Sequence, residues 1–430
     1  MSTTEIVAVR GRRVWDSRGK PTVEAEVKLA SGAIGRAIAP AGASTGSGEA
    51  IDLRDGGSRF GGADVMKAVN NVNGEIARAL RGHDARDQKS IDEVLIALDG
   101  TPNKARLGAN AMVATSMGVL HAAAAGAHMP LYAYLLGDRT PMMPIPEIQI
   151  FGGGAHAGRR VDIQDFMIVA PKAVSFAEAL EWTAEVYRAA GAMMSETGRL
   201  QGVADEGGFW PAFDSNEAAL DALVGSIERA GFTPGDDISI SLDIASSEFY
   251  RDGAYRLALD GRVLDSDAMS AMLIDWLDRY PIVSIEDPLA EHDEAGLTRF
   301  TKAVGHRVQI VGDDFLVTDA ARLHRAAAMS ACNAILVKPN QVGTVSEALA
   351  AIEGARSAQW GSIISARSGE TEDVTIVHLA VGWGVLQLKV GSFSRSERMA
   401  KWNEALRIEE ALDGRAAFAG DEPWSHFVVR

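Results

Sequence analysis

This sequence predicts an α/β protein, with an N-terminal α+β capping domain over residues 1–139 and an α/β barrel over 140–430. Three observations carry that reading. The N-terminal stretches alternate apolar and polar residues at period two. Beyond Thr140, short β runs alternate with longer helical ones. Five of those runs stop on, or one residue before, a charged side chain.

In the cap, EIVAVRGRRVWDS, TVEAEVKLA and AIGRAIAP are separated by turn residues at Ser17-Arg18-Gly19 and Ser31-Gly32, which predicts a three-stranded antiparallel meander. MKAVNNVNGEIARALRG and ANAMVATSMGVLHAAAA repeat apolar residues at three and four, so both are expected to be helical. GDRTPMMPIPEIQ, with its prolines, reads as a connector and places the domain boundary near Thr140. The runs IQDFMIVA, LQGVAD, ISISLD, IVSIED, VQIVGD, AILVK, GSIIS and VLQLKV then predict the strands of a parallel sheet, and that many units close into a barrel.

The chain has 430 residues, 47% hydrophobic and 23% charged, enough to bury a large core. Its net charge of -16 argues against nucleic acid as a partner, because phosphate backbones need clustered Lys and Arg. A small anionic substrate stays compatible, since bound cations reverse the local field. Cys332 is the single cysteine, which excludes an intrachain disulfide and fits a reducing compartment. No apolar leader opens the sequence, and Ala109 to Leu136, interrupted by His121 and His128, reads as a buried helix, not a membrane span. A cytoplasmic protein is the expectation.

The five charged run-ends are Asp243, Glu286, Asp313, Lys338 and Lys389. Barrel active sites lie at the C-terminal ends of the strands, so these groups should converge on one mouth. Three carboxylates without Cys or a His cluster suit a hard cation such as Mg²⁺. A lysine near such a cation and a second lysine loses its proton more easily, which makes Lys338 a candidate general base.

DSRGKPTVEAEV, AGASTGSGEA, GGGAHAG, IQDFMI, DEGGF, SLDIASSEF, PIVSIEDPLAE, LVKPNQVGTVSEA, ARSGETED and RSERMAKWN occur in the order in which enolases carry such segments, and the chain resembles the enolase family along nearly its whole length. That superfamily is known to pair a Lys or His base with Mg²⁺. The resemblance implies an eight-unit barrel whose second strand is reversed. It implies that Asp243, Glu286 and Asp313 hold a first Mg²⁺ and that Ser44 helps hold a second, two per site. Lys338 would take the C2 proton, Glu206 would protonate the departing hydroxyl with Asp165 beside it, and Lys389 would neutralise the substrate carboxylate. Arg367, Ser368 and His156 would grip the phosphate. A plainer role for Arg367 is pairing with Glu370 or Asp373. The family also implies a homodimer or higher homo-oligomer.

Four positions depart from the family pattern. Ala366 replaces a histidine, Gly48 replaces another in the ASTG loop, Asp165 is shorter than the usual glutamate, and Phe393 stands where proline is general. Metal and acid/base residues are kept while substrate-facing ones change, which suggests altered specificity. The two lost imidazoles should leave extra volume. Carboxyphosphonoenolpyruvate synthases of phosphinothricin-type antibiotic pathways resemble enolases and dehydrate a 2-phosphoglycerate analogue bearing an extra carboxylate on phosphorus, and this phosphonylated substrate is the leading expectation. An ordinary enolase acting on 2-phosphoglycerate is the alternative. A non-catalytic enolase-fold binding protein is a third reading, and it expects no response to Mg²⁺.

Overall fold

The computed structural model describes residues 2–427. The meander forms as expected: β1 (Ile6–Trp15), β2 (Pro21–Leu29) and β3 (Ile34–Ile38) pair antiparallel in that order. The helix Ala109–Gly126 lies across β2 and β3 with nearly every residue buried, as its apolar composition requires. Gly35 permits that approach, since a Cβ there would sit 2.0 Å from Ala122 N and 2.2 Å from Gly118 O. The expected helix over MKAVNNVNGEIARALRG forms in three pieces, Met66–Asn71, a π turn Val72–Ile76 and Ala77–Leu80. In that turn, Asn73 hydrogen-bonds both the N–H and the carbonyl of Gly11. No helix among the described residues is long and apolar enough to cross a membrane.

Eight strands close the barrel: β4 (Ile145–Gly152), β5 (Asp165–Val169), β6 (Ser239–Asp243), β7 (Ile282–Glu286), β8 (Gln309–Gly312), β9 (Ala334–Val337), β10 (Gly361–Ser365) and β11 (Gln387–Ser392). All run parallel except β5, which is antiparallel to both neighbours. Two strand assignments are corrected. The supposed connector contains β4, with Pro146 near its start, where a missing N–H is tolerated. LQGVAD is a loop between the helices Phe176–Glu196 and Asn216–Arg229, touching strand geometry only through an isolated bridge from Val203 to Phe209. Its Leu200 and Val203 are exposed, so the run lacks the burial a barrel strand needs.

Six of the barrel helices begin at side-chain caps. Ser175, Ser215, Asp265, Asp293, Asp319 and Thr344 each accept a backbone N–H of the first turn. Such caps contribute about 0.5–2 kcal/mol apiece and fix where each strand-to-helix loop ends. The cap is tied to the barrel by polar bonds. Asp92 accepts from Ser346 N and Oγ, Ser116 Oγ accepts from Val345 N, and Ala41 and Gly369 exchange backbone hydrogen bonds at 2.9 Å. That last bridge carries the segment after β3 onto the barrel mouth.

Candidate active site

Strand register builds the site. Asp165 opposes Asp243, and Asp243 opposes Glu286, so three carboxylates lie in one row across β5, β6 and β7. Because β5 is reversed, Asp165 reaches the mouth from the start of its strand while the other two reach it from the ends of theirs. Asp313 and Lys338 directly follow β8 and β9, whereas Lys389 lies inside β11, paired with Ser365.

The acids expected to share one cation are divided between two lysines here. Lys389 Nζ donates to Glu286 at 2.7 Å and Asp243 at 3.0 Å, with Asp165 at 3.6 Å. Lys338 Nζ donates to Asp313 at 2.5 Å. Asp313 sits within a second acid cluster with Asp287 and Asp314, and Asp287 accepts the backbone N–H of both at 2.9 Å. Burial, Asp243 and the other neighbouring acids push the Glu286 carboxyl well up, Lys389 notwithstanding. Burial is the largest influence on Lys338 and opposes its charge, but Asp313 and Glu286 together with the other acidic contacts outweigh it and hold the ammonium above its usual value.

His156, Asp165 and Glu206 form a separate group that reads as a chain. Asp165 accepts from His156 Nδ1 at 2.9 Å, and His156 Nε2 lies 3.7 Å from Glu206. Burial works against a charged imidazole, yet Asp165 and Glu206 raise His156 to about 9. Asp165 is correspondingly lowered to about 2, with His156, Lys389 and Gln149 outweighing its burial. Asp165 therefore meets Glu206 through His156. The Glu206 turn is fixed by Gly207 at φ +99, where a Cβ would lie 2.6 Å from Ser394 O.

Arg367 is buried, and its partner is neither Glu370 nor Asp373 through the guanidinium. Nη1 and Nη2 bind Glu49 at 2.9 and 3.1 Å, and Nη2 also donates to Ser44 O at 3.0 Å. Glu370 instead accepts the Arg367 backbone N–H and pairs with Lys401. The 41–50 segment is thus laid over the mouth, helped by Ser47 bound to Glu291 and Ala50 N bound to Gln341 O. Ser368 Oγ accepts from Arg18 at 3.3 Å. Gly48 does not leave the expected space, because a Cβ there would fall 2.0 Å from the Arg322 guanidinium, which already fills it. Ala366 does border the site.

Ser44, His156, Asp165, Glu206, Asp243, Lys338, Ala366, Arg367, Ser368 and Lys389 line one small polar cavity of about 20 Å³, together with Gly42, Gln164 and Ser365. Asp243 Oδ1, Glu286 Oε1, Asp165 Oδ2 and Gln164 Oε1 are buried acceptors without a hydrogen-bond partner among the described residues. Unpaired buried carboxylate oxygens are costly unless a cation or donor meets them. An all-oxygen donor set of this kind fits a hard divalent cation.

The sequence reading missed Glu49, Arg322, Gln149, Gln164 and Arg398. Arg398 is fully buried and donates to the carbonyls of Arg367, Ser368 and Val390, fixing the loop that presents Arg367 and Ser368. A signal existed: Arg398, Lys401, Trp402 and Ala405 share one helical face in Ser396–Leu412, which places two cations on an apolar stripe. Gln149, a lone amide within an apolar run, was a similar hint.

Comparison with known proteins agrees with this geometry. The family model described as enolase, N-terminal domain, matches residues 6–135, and the one described as enolase, C-terminal TIM barrel domain, matches 140–426. The chain is 49% identical over 421 residues to a protein named Enolase 1 from Desulfitobacterium hafniense (strain Y51), covering 97% of this chain and 96% of that one. With both family models and this relative spanning almost its full length, the chain belongs to the enolase family.

Proposed function

We propose that this protein removes water from a 2-phosphoglycerate-type substrate, with Lys338 as base at C2 and Glu206 as acid at the C3 hydroxyl. One observation supports this above the rest. Asp165 opens β5 and Lys338 follows β9, four strands away around the eight-stranded ring, so the acid group and the lysine face each other across one cavity. Enolases are Mg²⁺-dependent hydro-lyases. Asp243, Glu286 and Asp313 would hold the first ion and Ser44 would help hold the second. Bound there, Mg²⁺ supplies charge stabilisation for the dianion that forms at the substrate carboxylate.

The chain's own residues do the rest. Lys338 is buried beside Arg367 and Lys389, which favour its neutral form once Asp313 no longer neutralises it. Lys389 meets the substrate carboxylate. Arg367, Ser368, Ser44 and the imidazolium of His156 meet the phosphate, and Asp165 keeps His156 charged. Glu206 gives its proton to the hydroxyl as the C3–O bond breaks.

The preferred substrate in this reading is the carboxyphosphono analogue, because Ala366 widens the cavity wall beside Arg367 and Ser368. The second reading, 2-phosphoglycerate itself, is favoured by the name of the relative and by Arg322 filling the space beside Gly48. Parallel turnover assays with Mg²⁺ decide between them. A kcat/KM at least tenfold higher for the analogue is expected, on the order of one lost or gained contact. Equal or better turnover of 2-phosphoglycerate would discard the modified substrate and leave the reaction class intact. A cytoplasmic homodimer is part of the same reading, and light scattering of the purified protein tests the assembly.

A further inference from the structure

Gln149 is fully buried on β4 and has no part in the chemistry above. Its Nε2 donates to Asp165 Oδ1, while its Oε1 accepts the Gly208 N–H at 2.8 Å. One side chain therefore joins the carboxylate that charges His156 to the turn that carries Glu206. The fit is close: a Cβ on Gly208 would lie 2.5 Å from Gln149 Oε1, and one on Gly152 would lie 3.1 Å from both of its terminal atoms. The amide cannot flip without setting its oxygen against a carboxylate and its NH₂ against a backbone N–H. The acid side of the site is thus held by one donor–acceptor pair.

We infer that Gln149 is a positioning residue for the acid half of the reaction, setting the Asp165–His156 pair against Glu206 and hence the departure of the C3 hydroxyl. The step it governs is balanced within the proposed chemistry. The electron pair left at C2 forms the C2–C3 double bond, the C3–O bond breaks, and the Glu206 proton leaves with the hydroxyl as water. This inference rests on the proposed function, and its test separates the two.

Exchange of the C2 proton with deuterated solvent reports Lys338, and net water loss reports the acid half as well. In Gln149→Ala, with Mg²⁺, water loss should fall at least about tenfold, since a buried charge-assisted hydrogen bond is lost, while C2 exchange stays within about twofold. Gln149→Asn, which keeps the amide but is one methylene short, should give a smaller shift of the same ratio. It is also the deciding variant if the alanine protein does not fold. A parallel fall in both rates, or an unchanged ratio, would overturn the role of Gln149 alone. Absence of both reactions in the unmodified protein would overturn the proposed function and this inference with it.

Discussion

Replacing Lys389 by methionine removes the cation on which Glu286, Asp243 and Asp165 converge at 2.7, 3.0 and 3.6 Å. At an effective dielectric of about 20, each of the two closer contacts corresponds to about 6 kcal/mol of attraction. Desolvating the ammonium offsets much of this, and breaking a buried ion pair costs about 3–5 kcal/mol net. Methionine is of similar length, so the loss is mainly electrostatic. The metal-free variant should therefore lose about 3–5 kcal/mol of unfolding free energy. The same ammonium competes with any cation for Asp243 and Glu286. The variant should accordingly bind Mg²⁺ more tightly than the unmodified protein, yet turn over nothing, because the substrate carboxylate has lost its partner. Urea unfolding in EDTA and across a Mg²⁺ titration measures both quantities. A Mg²⁺ concentration of about 100 times Kd adds about 2.7 kcal/mol to a site that is absent from the unfolded chain. Equal destabilisation in EDTA and in saturating Mg²⁺, with affinity unchanged, would refute the idea that lysine and cation share these carboxylates.

Other outcomes follow from the same geometry. His156 is raised from 6.5 to about 9, so its ion pair with Asp165 stabilises fully below pH 6.5 and fades as pH rises through 9. That difference is on the order of 3 kcal/mol, and the stability gap between the unmodified protein and His156→Asn should close over this range. Glu49→Gln leaves Arg367 without its carboxylate. Residues 41–50 should then exchange amide hydrogens faster, and KM should rise by about tenfold; unchanged exchange would show that the pair does not hold the segment. Gly35→Ala forces backbone apart at the helix–sheet contact and should lower stability by at least about 1–3 kcal/mol, measurable by denaturant unfolding.

The cap meander was legible because its strands are half-buried and alternate cleanly. The reversal of β5 was not, since DFMIV is buried on both faces and reads the same in either direction; it came only from the family resemblance. Prolines disguised β4, and valine and leucine in a surface loop imitated a strand at LQGVAD. Asp243, Glu286, Asp313, Lys338 and Lys389 were readable because a charge ending an apolar run marks a barrel mouth. How these charges pair was not, because Asp313 with Lys338, or Arg367 with Glu49, depends on contacts between distant segments. Gly48 shows the limit most plainly: a missing side chain suggested a void, and Arg322, far along the chain, fills it.

The division of labour between Lys338 and Glu206 is tested most directly by C2 proton exchange in deuterated buffer with Mg²⁺ and the preferred substrate. Glu206→Gln should keep exchanging while net water loss falls by about 10²-fold or more, and Lys338→Ala should lose both reactions. Exchange that persists in Lys338→Ala, or that vanishes in Glu206→Gln, would contradict the assignment of base and acid.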